Sequence, residues 1–194
     1  MAARTMTIPW PPRALGLGPP LNLVTLSRER RGELRRGVSQ SVALGLAAAI
    51  VVAAIDQFIF DGETARRTPA LDAHPTPLAR VLIALVGSLG EELFFRVLVA
   101  TAVATLVWLA LRSVATFRAV AVAQWTGTLA AALYSCMGHV SMLGASGNLY
   151  RVIAVNAVGN ILYGWMYWRR GFELAVLTHW VVTAMLYIGL AVLR

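Results

Sequence analysis

The chain has 194 residues, with 17 basic and 9 acidic side chains for a formal net charge of +8; 58% of it is apolar and 13% charged. Soluble domains carry about 25% charged residues, so this chain cannot clothe a globule in water. Intrinsic disorder is excluded too, because it requires low hydrophobicity. The composition is that of an integral membrane protein. Every basic residue is arginine, so no lysine chemistry is available. The lone Cys136 can form neither an internal disulfide nor a cysteine-cluster metal site.

In chain order, residues 1–37 are polar, proline-rich and basic, and are expected to form a cytoplasmic arm. Arg28, Arg30, Arg31, Arg35 and Arg36 make a short basic segment suited to anionic lipid heads at the membrane surface. Nucleic acid is not the expected partner, because the cluster abuts a span. Residues 38–60 are long enough to cross a bilayer, which takes ~20 apolar residues. With the turn-rich stretch that follows, holding Asp61, Pro69, His74 and Pro77, they form a second segment, 38–77. Asp56, near the end of that first span, is expected at the interface.

The segment 78–194 is the expected functional core. Its first apolar stretch, Leu78 to Leu111, would be roughly 50 Å long as one helix, against ~30 Å for the hydrocarbon core. It must tilt, protrude or break, and Gly87-Ser88-Leu89-Gly90 is the expected weak point. Further spans are predicted at about 119–143, 151–168 and 172–193. The fold class is therefore all-α: a polytopic transmembrane bundle of about five spans. Eleven arginines fall on the side of the N-terminus and five on the other, which places the N-terminus inside.

The most informative segment is Gly90-Glu91-Glu92-Leu93-Phe94-Phe95-Arg96. Its ionisable residues sit in the middle of a long apolar run, where charge is expensive and by default marks function. Glu92 and Arg96 are four apart with the glutamate first, the favourable order for an ion pair on one helix face. Glu91 lies about 100° round the helix, without a local partner. Desolvation makes such a carboxylate a better acceptor of protons, which suits a general base. A structural ion pair beside a carboxylate in a wet crevice is the plainer reading.

Two histidines also fall within spans. His139 has Ser135 one turn before it, and His179 has Thr183 one turn after it; each hydroxyl is placed to fix a tautomer. One carboxylate and two imidazoles suggest peptide hydrolysis: Glu91 takes a proton from water, and the imidazoles position that water and stabilise the oxyanion. A zinc site of Glu91, His139 and His179, with the second glutamate as base, is the rival arrangement, although the HExxH spacing is missing. Asn156 and Asn160, four apart on one span, are expected either to support the site or to bond helix to helix. With straight spans, His179 would lie on the order of 15 Å from the level of His139, a separation that a single working site must close.

Glu91-Glu92-x-x-x-Arg96, then a span ending in His139, then His179-x-x-x-Thr183 after an Arg-Gly turn, resembles the CPBP family. This group comprises type II CAAX prenyl endopeptidases and bacteriocin-processing or immunity proteins, with a glutamic-type (Abi) intramembrane protease domain. The resemblance covers about 80–194. It implies a peptidase, glutamic-type or metal-dependent, in a bacterial cytoplasmic membrane, acting on a membrane-embedded or lipidated peptide. By the same resemblance, Glu91 is the water-activating residue, Glu92 and Arg96 complete its motif, and His139 and His179 are the active-site histidines. Two positions depart from the family pattern: Ser135 stands for the usual Phe, and Thr183 for the usual Asn. A non-catalytic immunity or scaffold protein of the same fold, or a small transporter, is the alternative.

Overall fold

The computed structural model describes residues 28–60, 76–111, 117–143 and 148–192. The N-terminal arm and the stretch holding His74 lie outside them. The elements are α1 (Arg28–Ile59), α2 (Pro77–Glu92), a π-helical stretch (Leu93–Ala100), α3 (Thr101–Leu111), α4 (Phe117–Leu143), α5 (Leu149–Arg170) and α6 (Phe172–Val192). Because α2, the π stretch and α3 are continuous, the bundle has five rods, in the order expected from the sequence. Gly32–Ile59, Pro77–Leu111 and Phe172–Gly189 are each long and apolar enough to cross a bilayer by themselves. The chain is a polytopic transmembrane helical bundle.

Local chemistry sets the helix ends. Thr76 caps α2, its hydroxyl accepting from the Ala79 amide at 3.2 Å, and Pro77 follows at the first helical position. Asn148 caps α5 in the same way through the Arg151 amide at 3.2 Å. Gly171, at φ +98°, ends α5 in the left-handed region open to glycine and lets α6 begin at once.

Two expectations are corrected along the rods. The first span, expected from residue 38, starts earlier as a helix: Arg28 to Arg36 are the first turns of α1, which runs 32 residues, about 48 Å. Nor does the second rod break at Gly87–Gly90, where the helix is continuous. Its departure from α geometry comes at Leu93–Ala100, directly after the paired glutamates. The reason is visible in the buried stripe: Ala84, Ser88, Glu92, Arg96, Ala100, Ala104 and Trp108 are all buried, every fourth residue. In an α-helix each four-residue step overshoots a turn by about 40°, and the stripe would wind off the packed face. The looser π stretch, with its i→i+5 bonding, turns that drift back.

Lipid tails offer helices no hydrophobic reason to associate, so close packing and interhelical hydrogen bonds carry the assembly. α6 is central, packed on α1, α2 and α5, while α4 joins α5 to the π stretch and α3. Ser41 donates to the Leu174 carbonyl at 3.3 Å, Trp180 to that of Val81 at 3.0 Å, and Trp168 to the Thr128 hydroxyl at 3.0 Å. Asp56, expected at the interface, is buried instead and ion-pairs with buried Arg151 at 3.0 Å, tying α1 to the start of α5.

At Gly127 α4 comes so close to the π stretch that an added Cβ would collide with the Ala100 carbonyl oxygen, whereas Gly87 faces open space. Gly127→Ala is expected to destabilise the protein by roughly 1–3 kcal/mol, as overpacking does. Gly87→Ala is expected to be neutral or to gain up to about 1 kcal/mol from helix propensity. Thermal unfolding of both variants in one detergent checks the contrast.

Candidate active site

Glu92 is fully buried at the junction of α2 and the π stretch, and its carboxylate meets two partners. Oε2 lies 3.2 Å from Nε of Arg96, the ion pair expected from the spacing. That approach lacks hydrogen-bond alignment, leaving Oε2 and Nε without a formal bond. Oε1 lies 3.0 Å from Nδ1 of His179. The sequence reading gave Glu92 only the first of these partners.

Arg96 is held from three sides. Its Nη2 donates to the Asn160 side-chain oxygen at 2.8 Å and, more weakly, to the Asn160 carbonyl at 3.4 Å. Its guanidinium carbon stands 5.9 Å from the Tyr163 ring centroid, within cation–π range. Thr101, the first residue of α3, donates to the Arg96 carbonyl at 2.9 Å and meets the Tyr167 hydroxyl at 2.8 Å. Asn160 in turn donates to Ser135 Oγ at 3.3 Å and to the Asn156 carbonyl at 3.0 Å. Asn160 thus joins Arg96 to α5 and bonds α5 to α4, the helix-to-helix role expected of it.

The tautomers follow from the partners. A carboxylate only accepts, so His179 donates from Nδ1 to Glu92, and in the neutral form of the ring Nε2 is bare. That Nε2 lies 3.9 Å from Oε2 of Glu91. The ring also stacks on Tyr163, with centroids 4.2 Å apart and planes inclined by 14°. Thr183 is not the group that orients His179; Glu92 and Tyr163 are. His139 behaves alike: its Nδ1 bonds the Ser135 backbone carbonyl at 2.8 Å, not the hydroxyl expected from the spacing. A carbonyl also only accepts, so neutral His139 has a bare Nε2 too.

Glu91, His139 and His179 line one cavity of about 140 Å³, together with Asn156, Asn160, Tyr163, Thr183 and Tyr187. A water needs only about 10–15 Å³ measured this way, so several fit. Glu91 is part-exposed, at 39% of its side chain, and Glu92 is sealed. The separation along the bundle shrinks but does not vanish. Tyr163 is level with His179, Asn160 with Ser135, and His139 is a further turn on. His139 therefore stands on the order of 10 Å from His179 along the helix axes, at the other end of the cavity. α1 contributes Val52 to the wall.

Among the described residues no three His, Cys, Asp or Glu side chains form a group that could hold a metal ion. Glu92 is committed to Arg96 and His179, and His139 does not join Glu91 and His179. The sequence reading missed Tyr163, Tyr187 and Val52 at this cavity, and Ser88 beneath Glu92. Ser88 was legible, since it precedes Glu92 by one turn on the buried stripe. The others depend on which helices become neighbours.

A helical membrane bundle with paired carboxylates and histidines about one internal cavity is the setting of an intramembrane hydrolase. A family model described as "Type II CAAX prenyl endopeptidase Rce1-like" matches residues 73–185. The chain belongs to this Rce1-like family, and with it to the CAAX-protease-type intramembrane peptidases. No curated protein and no solved structure gave a significant match.

The Glu92–Arg96 pair is buried and shared, so removing one member strands the other. Arg96→Met, similar in length, is expected to destabilise the protein by about 3–5 kcal/mol. A lowered melting temperature in detergent, with purified protein still helical by circular dichroism, is the expected observation.

Proposed function

We propose that the protein is an intramembrane endopeptidase that hydrolyses a peptide bond of a membrane-embedded or lipidated substrate with a water held between Glu91 and His179. The observation that carries this reading is the pair of acceptors, Glu91 Oε2 and His179 Nε2, 3.9 Å apart at the wall of a cavity. A water there donates one hydrogen to each and turns its lone pair outward to a substrate carbonyl. Glu91 takes the proton, the hydroxide bonds to the carbonyl carbon, and a tetrahedral oxyanion forms. The C–N bond then breaks as Glu91 returns the proton to the leaving nitrogen. Glu92 acts through His179: it holds the ring's Nδ1 hydrogen, so that Nε2 stays an acceptor.

The oxyanion needs donors, and neutral imidazoles with bare Nε2 atoms supply none. The hydroxyls of Thr183 and Tyr187 line the same cavity and are the donors this reading favours. His139 donates from Nε2 only as an imidazolium. Its distance from His179 assigns it to the substrate chain or leaving segment rather than to the attacking water. No step here is routed through a metal, since among the described residues no three His, Cys, Asp or Glu side chains form a group that could hold one.

The orientation proposed is N-terminus inside, in a bacterial cytoplasmic membrane. It rests on the arginine bias, and the burial of Arg151 against Asp56 removes one arginine from the outer tally. The test is Glu91→Gln, near-isosteric and without a base. It is expected to lower cleavage of a membrane peptide in proteoliposomes by at least about 100-fold, with the melting temperature unchanged. Undiminished cleavage in that variant removes Glu91 from the mechanism; no cleavage by the native protein on any membrane peptide favours a non-catalytic binding role.

A further inference from the structure

At the end of the bundle remote from the Asp56–Arg151 pair, the same two helices, α1 and α5, frame a second cavity. It is open, about 490 Å³, and among the described residues it is lined by Gln40, Trp165, Arg169 and Arg170. No carboxylate is among these. Both arginines are exposed in the last turn of α5. Arg170 donates from Nε to Gln40 Oε1 at 3.0 Å, which fixes its guanidinium and leaves both Nη groups to bind. Arg169 has no ion-pair or hydrogen-bond partner among the described residues. Arg36, exposed and one turn before Gln40 on α1, adds a third positive charge nearby. A helix C-terminus welcomes a cation, but that alone asks for no cavity, no tryptophan and no amide from a second helix.

We propose that this cavity binds the phosphate headgroup of an anionic phospholipid in the leaflet that meets the start of α1. Guanidinium groups grip phosphate through paired hydrogen bonds. Trp165, one turn nearer the membrane interior than Arg169, suits the boundary between headgroup and acyl chain. The bound lipid fastens α1 to α5 at this end, as the Asp56–Arg151 ion pair does at the other. Between the two fastenings lies the seam where Val52 of α1 and Val155 of α5 wall the active-site cavity.

The experiment is thermal unfolding of the full chain in detergent with added phosphatidylglycerol, phosphatidylcholine or inorganic phosphate. Phosphatidylglycerol is expected to raise the melting temperature of the native protein and of Arg118→Gln, an exposed arginine of α4 outside the cavity. That rise is expected to fall by half or more in the Arg169→Gln, Arg170→Gln double variant. Equal rises in native and double variant overturn the proposal. So does an equal effect of phosphatidylcholine, which means acyl contact alone, or of inorganic phosphate, which means a free-anion site. Should the double variant not fold, Arg169→Gln alone is tested by native mass spectrometry; fewer retained phosphatidylglycerol molecules than in Arg118→Gln support the site, and equal numbers overturn it.

Discussion

A carboxylate with no exposed surface, in the middle of an apolar bundle, governs much of what surrounds it. Glu92 can stay charged there only if positive or hydrogen-bearing groups replace the water it has lost. Arg96 supplies one and Nδ1 of His179 the other. Each partner then needs its own support. Arg96 engages Asn160 and Tyr163, Asn160 reaches Ser135, and His179 stacks on Tyr163. One buried charge thereby fixes the relative positions of α2, α4, α5 and α6. The polar network is both the glue of the bundle and the frame of the cavity.

The π stretch belongs to the same solution. Burying Glu92 and Arg96 on one stripe with five small or aromatic residues demands a four-residue repeat over seven positions. An α-helix cannot hold that repeat on one face, and the under-wound stretch corrects it where the charges lie. At its last residue, Ala100, it meets α4 closely because Gly127 carries no Cβ. The geometry of the charged trio is therefore inseparable from the shape of the rod that carries it.

Much of this was legible in the sequence. Hydropathy marks four of the five rods within a few residues, because crossing a bilayer leaves few choices; the first begins ten residues before its expected span, at Arg28. The Glu92–Arg96 pair follows from a spacing of four, and the histidines from their place inside spans. The unreadable parts depend on contacts between distant segments. Asp56 meets Arg151 across 95 positions and His179 meets Glu92 across 87, so no local pattern announces either. Spacing within one helix suggested Ser135 and Thr183 as the partners of the histidines. A backbone carbonyl and a carboxylate from another rod took those places, since both are stronger acceptors than a hydroxyl. Gly87 and Gly90 looked like a hinge only because glycine is weak in isolated helices; in the bundle, packing holds the rod continuous.

The wall of the cavity has two origins. Four of its sides come from α2, α4, α5 and α6, whose lining residues fall within 73–185, the stretch that matches the family, except for Leu186 and Tyr187. The remaining side is α1, through Val52, and α1 lies wholly before that stretch. The polar side chains of the cavity thus all belong to the other four rods, and α1 brings it only an apolar surface. Exchanging the side chain at Val52 would reshape this wall while leaving the carboxylates and imidazoles in place.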